Sequence, residues 1–196
     1  MAHLPFQAAI LDPPQAHARF LTFSLTPGAD PRQVLSSLQR TAASFPSVIG
    51  LGAPLVAAVA ATLEGLRPFP ALSGPGIAFP STQGAIWAYL PGADRGEILD
   101  RALALRDALG TAARLDEEVE CFKYRTGHDL SGFEDGTENP KGDAAIEAAF
   151  VSGRGPGLDG ASFVAAQRYR HELARFHPLD AAEKGRIIGR DFHTNE

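Results

Sequence analysis

The chain contains one cysteine, Cys121, so it cannot form an internal disulfide. A solitary thiol fits a reducing compartment, and a cytoplasmic location is expected. Positive charge is also scarce. Lys and Arg number 18 against 23 Asp and Glu, and the net charge of -5 is not gathered in one block. That balance excludes the basic footprint of a nucleic-acid binder. Long apolar runs are missing as well. Residues 51–66 are the most apolar stretch, but Gly52, Pro54, Glu64 and Gly65 interrupt it, and it is too short to span a bilayer. Met1–Pro5 shows no basic segment followed by an apolar one, so no secretory signal is read. There is no G-x-x-x-x-G-K-[ST] to cradle a phosphate. The histidines, at 3, 17, 128, 171, 177 and 193, never fall in H-x-x-x-H spacing.

What is present reads as an α+β domain. Residues 18–26 alternate as a strand, with Leu21, Phe23 and Leu25 on one face. Asp30-Pro31 starts a helix whose stripe runs through Val34, Leu35, Leu38, Ala42 and Phe45. A short strand over 47–52, a helix over 54–66 and a Pro/Gly-rich loop over 68–80 follow. The pattern then recurs. A strand spans 84–90, with Ile86, Ala88 and Leu90 opposite Trp87 and Tyr89. A helix opens at the capping-box spacing of Asp94 and Glu97 and carries Ile98, Leu99, Ala102, Leu103 and Leu109. A strand over 118–125 completes the series. Two successive β-α-β units predict a ferredoxin-like antiparallel sheet with helices on one face.

Beyond it the spacing predicts a helix over about 142–150, a strand over 161–171 and a helix from Asp180 to about Gly189. The expected division is an N-terminal ferredoxin-like domain over 1–127, a loop and linker over 128–160, and the start of an incomplete second ferredoxin-like unit over 161–196. Gly155–Gly160 matches G-x-G-x-x-G in letters. A helix precedes it and a strand follows, the reverse of a dinucleotide fingerprint, so it reads as a linker.

The densest chemistry lies in Gly132-Phe133-Glu134-Asp135-Gly136-Thr137-Glu138-Asn139-Pro140. Its glycines and its Asn-Pro step rule out a helix interior or a central strand. The acids lack the alternating spacing of an EF-hand loop. Asp135-Gly136 by itself makes an ordinary turn. The segment is longer than a turn requires, and a partly desolvated Asp135 beside Phe133 would be a usable proton shuttle. The residues leave both readings open. His128 is adjacent and a candidate pocket residue. The other histidines read as solvated or satisfied by a neighbour, Cys121 as a packed small residue, and Trp87, Tyr89, Tyr124 and Tyr169 as core.

Residues 129–140 resemble the G-x-x-D-G-T signature of the dye-decolorizing peroxidase family in its short bacterial form. Phe122–Arg125, Gly160–His171 and Ile187–Arg190 are similar to that family too, so the resemblance covers essentially the whole chain. It implies two ferredoxin-like units and haem b held in the C-terminal one. Hydrogen peroxide is the implied oxidant, and dyes and small phenolic or aromatic compounds are the implied reductants. By the same resemblance Asp135 is the distal acid-base residue, and Phe133, Glu134, Gly136 and Thr137 shape the distal face of the haem. No metal ligand is assigned. The proximal histidine is expected beyond Glu196, His193 lying too close behind Arg190 to match it. The chain is therefore expected to be an N-terminal portion that is inactive alone, and to form a homo-oligomer or associate with the missing part. A non-catalytic haem-binding or dimerisation module, or a protein that handles haem and releases its iron, are the alternative readings.

Overall fold

A computed structural model describes residues 6–196. It divides into two units. The first comprises residues up to Phe122 together with Ala149–Ala165; the second comprises Lys123–Ala148 and Ala166–Glu196. The glycine-rich stretch 153–160 thus belongs with the first unit.

The first unit is built on a four-stranded sheet. Strand β1 (His17–Leu25) is followed by helix α1 (Pro31–Ala42), β2 (Val48–Leu51) and α2 (Ala53–Ala58). After a small hairpin, β3 (Leu72–Gly74) and β4 (Ile77–Phe79), come β5 (Ile86–Gly92), α3 (Arg95–Leu109) and β6 (Ala113–Phe122). The sheet order is β2-β5-β1-β6 and every pairing is antiparallel. This is the expected ferredoxin-like arrangement.

Side-chain alternation sets the register. Leu21 lies opposite Ala88 and Phe23 opposite Ile86, and all four are buried together with Leu90. A one-residue slip would turn these side chains to the other face. The helices complete the core. Asp30 caps α1 by accepting from the Arg32 amide at 2.9 Å, and Asp94 caps α3 by accepting from the Glu97 amide at 2.9 Å. Val34 and Leu38 of α1 meet Ile98, Ala102, Leu105 and Leu109 of α3 in one buried cluster. Leu99 and Leu103, expected on the stripe, are exposed: the buried line follows 98, 102, 105 and 109, which is helical spacing. On the other face of the sheet Phe20 stacks with Trp87 at 5.6 Å and with Tyr89 at 5.1 Å. These aromatics are half-buried outer-face residues. Cys121 is half-buried opposite Ala18.

Several expected boundaries shift. Strand β6 starts at Ala113 rather than 118, because it pairs along the length of β1 to Leu25. A register shift at Thr22/Phe23 interrupts its alternation, and its charged residues face outward as suits an edge strand. The 68–80 loop contains the β3–β4 hairpin, turned at Pro75-Gly76. The predicted strand over 161–171 is not formed. Its backbone has no partner strand among the described residues, and an extended segment without one cannot complete a ladder.

Helix α2 ends at Ala58, well short of 66. Ala60 adopts a left-handed conformation with φ 56°. The Ala61 amide donates to the Val56 carbonyl at 3.1 Å and the Ala60 amide to the Ala57 carbonyl at 2.9 Å. This is a Schellman termination with alanine where glycine is usual.

The second unit holds α4 (Asp143–Ala149, whose last residue falls in the first unit), α5 (Leu173–Phe176) and α6 (Ala181–Ile188). Asp180 caps α6 by accepting from the Glu183 amide at 2.8 Å. Among the described residues this unit forms no strand beyond an isolated bridge between His128 and Glu134. No helix of the described residues is long and apolar enough to cross a membrane.

Left-handed backbone costs an alanine about 1 kcal/mol more than a glycine. Ala60→Gly should therefore raise unfolding stability by about that amount, measured as a shift in the urea midpoint at unchanged slope.

Candidate functional site

The acid-rich loop is fastened by its own backbone. The Asp129 amide donates to the Phe133 carbonyl at 2.8 Å, and the Gly132 amide donates back to the Asp129 carbonyl at 3.0 Å. One step further out, the Asp135 amide donates to the Gly127 carbonyl at 2.9 Å. The Asp129 side chain tightens the turn by accepting from the Ser131 amide at 2.6 Å. Gly132 has φ 97°, and a side chain there would meet the Phe192 ring at 3.2 Å. The positive φ strains any other residue there, and the close ring adds to the crowding.

The rest of the unit then grips this loop. Phe133 is almost fully buried and meets Phe192 edge-on at 5.2 Å between ring centroids. The Arg190 guanidinium lies over the Phe133 ring at 5.7 Å. Its two terminal nitrogens donate to the Glu134 carbonyl at 3.1 Å and to the Thr137 hydroxyl at 2.9 Å. The Glu134 amide donates to Asn195 Oδ1 at 2.9 Å. Asp191 shapes the turn that brings Asn195 there, accepting from the His193 and Thr194 amides at 2.8 and 2.9 Å. These two amide bonds hold the Asp191 carboxyl below its ordinary range. At the near end His171 Nε2 lies 3.0 Å from Asp129 Oδ2, and His177 Nε2 lies 3.2 Å from the Leu130 carbonyl.

Burial would push the Asp129 carboxyl up. The Ser131 hydrogen bonds and the His171 charge together outweigh it, and Asp129 sits below its ordinary value.

The unit carries an open cavity of about 640 Å³, within the size range of small-molecule sites, roughly 300–1,000 Å³. Phe133, Leu173, Phe176, Leu179, Ile187 and Ile188 supply apolar wall. Asp135, His171, Arg175 and Arg190 are among the polar groups of the wall. A wall of this composition fits a largely apolar ligand that presents a few polar atoms.

Two of the five predicted site residues, Phe133 and Asp135, line the cavity. Glu134 and Thr137 are joined to Arg190 and Asn195 through their backbone or hydroxyl groups, and Gly136 is exposed at φ 74°. Asp135 is exposed, so the desolvation expected from Phe133 is not found: the Phe133 ring turns inward to Phe192 and Arg190. His128 does not line this cavity; its Nδ1 faces the Thr126 hydroxyl at 3.2 Å. The sequence reading gave no role to Arg190, Asn195 or Phe192. Their partners are 53 to 61 residues away for the polar pairs, beyond any local pattern.

Residues 126–196 match the model of the C-terminal part of Dyp-type peroxidases. The dye-decolorizing peroxidase of Rhodococcus erythropolis is 32% identical over 197 residues, a match covering 92% of this chain and 57% of that protein. DyPB from Rhodococcus jostii superposes with a TM-score of 0.85 at 32% identity, covering 100% of this chain and 67% of its own. Variants of that protein are known in complex with heme. A putative dyp-type peroxidase from Shewanella oneidensis superposes with a TM-score of 0.88 at 25% identity, covering 97% and 66%. The chain spans little more than half the length of the curated relatives from Rhodococcus erythropolis and Brevibacterium linens, 57% and 53%.

A carboxyl held low in the fold stabilises it above the unfolded value, about 3.9, and loses that contribution as pH falls through the folded value. Asp129→Asn should therefore flatten the acid limb of a stability profile below about pH 4. Urea midpoints at stepped pH check this, with Asp191 continuing to contribute its own acid dependence.

Proposed function

The chain belongs to the DyP-type peroxidase family, and we propose that its second unit forms the distal part of a haem b site serving hydrogen-peroxide-dependent oxidation. Support comes from one observation above the rest. Asp135 stands on the wall of an apolar cavity, on a backbone pinned by the Gly127 carbonyl at 2.9 Å. An exposed carboxylate on a fixed loop is within reach of a molecule as small as peroxide.

Phe133, Glu134, Gly136 and Thr137 would hold the distal side of the cofactor, Phe133 directly through the cavity wall and the others through the loop they shape. Haem, when bound, supplies the iron and the conjugated ring that break the O–O bond and store its oxidising equivalents. The protein's part is proton handling. An Asp135 carboxylate oxygen accepts a proton from hydrogen peroxide and returns it to the departing oxygen, which leaves as water. One group acting first as base and then as acid needs the carboxylate to keep its place between the two transfers. The loop's backbone bonds meet that need.

His171, with its Nε2 3.0 Å from Asp129 Oδ2, is read as support for the loop. Dyes and small phenolic compounds are the proposed electron donors. Cytoplasmic residence, and association with a second copy or with further sequence of the family, complete the proposal.

Asp135→Asn keeps the shape and removes the base. In haem-loaded protein it should slow the reaction with peroxide by roughly 10²- to 10⁴-fold, measured by stopped-flow absorbance. An unchanged rate would sink the assignment.

A further inference from the structure

We propose that Arg190 is a positioning residue for Asp135, acting as a two-pronged clamp across the acid. The inference rests on the reading of Asp135 as the proton-handling group. Its basis is where the two prongs land. One guanidinium nitrogen takes the carbonyl of Glu134, the residue before Asp135, at 3.1 Å. The other takes the hydroxyl of Thr137, two residues after it, at 2.9 Å. Asp135 lies between two points fixed to one rigid, planar group. The ring of Phe133 lies under the guanidinium at 5.7 Å and adds a third contact from the same loop.

The fold aims this clamp deliberately. Helix α6 ends at Gly189 with φ 90°, a left-handed cap that only glycine adopts without strain. The Gly189 amide closes on the Gly185 carbonyl at 2.7 Å, and the chain reverses directly into Arg190. A side chain on Gly185 would come within 2.8 Å of the Arg190 carbonyl. The arginine backbone is therefore seated against the helix, and its half-buried side chain runs along the cavity wall to the loop.

Lysine cannot replace this group. It carries the charge on one tetrahedral nitrogen and cannot span two acceptors in a plane. Thr137 offers a narrower probe. Thr137→Ser keeps the hydroxyl, whereas Thr137→Val keeps the volume and removes it.

Amide hydrogen exchange of the chain as purified reads the clamp without any cofactor. Arg190→Ala, Arg190→Lys and Thr137→Val should each speed exchange in peptides spanning 132–138 by roughly tenfold or more, the effect of losing a charge-assisted hydrogen bond. Thr137→Ser should stay near wild type, and strands β1 and β5 should be unaffected. Free guanidinium ion should restore part of the protection in Arg190→Ala only. In haem-loaded protein the same variants should lower the second-order rate with peroxide about tenfold and leave the KM for a dye unchanged. Unchanged exchange in Arg190→Ala and Thr137→Val overturns the clamp. So does a peroxide rate that falls in Asp135→Asn but not in the Arg190 variants. A peroxide rate insensitive to Asp135→Asn, with exchange still faster in the Arg190 variants, sinks the functional reading instead and leaves the clamp standing.

Discussion

Everything that makes the candidate site specific depends on one backbone closure. The amide of Asp135 reaches back to the carbonyl of Gly127, and inside that closure the amide of Asp129 reaches the carbonyl of Phe133. These bonds turn a glycine-rich segment with few apolar side chains into a fixed platform. Such a segment buries too little surface to order itself, because each residue fixed costs on the order of 1–2 kcal/mol of chain entropy. The closure supplies part of the compensation locally, and the burial of Phe133 supplies more.

The platform is then tied to the segment that ends the second unit. Asp129 meets His171, Glu134 meets Asn195, and Arg190 spans Glu134 and Thr137. These bonds join residues that are polar and half-exposed, so each one alone contributes little. Acting on one short loop they reinforce each other, since the loop cannot move at one point without breaking bonds at others. The first unit meets a different requirement. Its stability comes from one face of an antiparallel sheet under two capped helices, and the acid caps at Asp30 and Asp94 decide where those helices begin.

The first unit was largely readable in the sequence. Period-two alternation in β1 and β5, helical spacing in α1 and α3, and acid caps are local signals, and local signals are carried by neighbouring residues. Failures came where a distant partner decides. The segment 161–171 has the composition of a strand but no partner strand among the described residues, and β6 is longer than its own alternation implies because β1 extends its pairing. Helix α2 stops early through an alanine in a left-handed conformation, which no residue-type rule anticipates.

By itself, the sequence determined the ferredoxin-like order of elements in the first unit, the loop around Asp135 and the family to which that loop belongs. Each of these is written in contiguous residues. Only the tertiary structure decided that Phe133 turns inward, that Asp135 is exposed on a cavity wall, and that Arg190 and Asn195 hold the loop from more than fifty residues away. The physical reason is range. Propensity, capping and periodicity act over a few residues, whereas hydrogen bonds and ring contacts form between whichever groups the folded chain brings within about 3–6 Å.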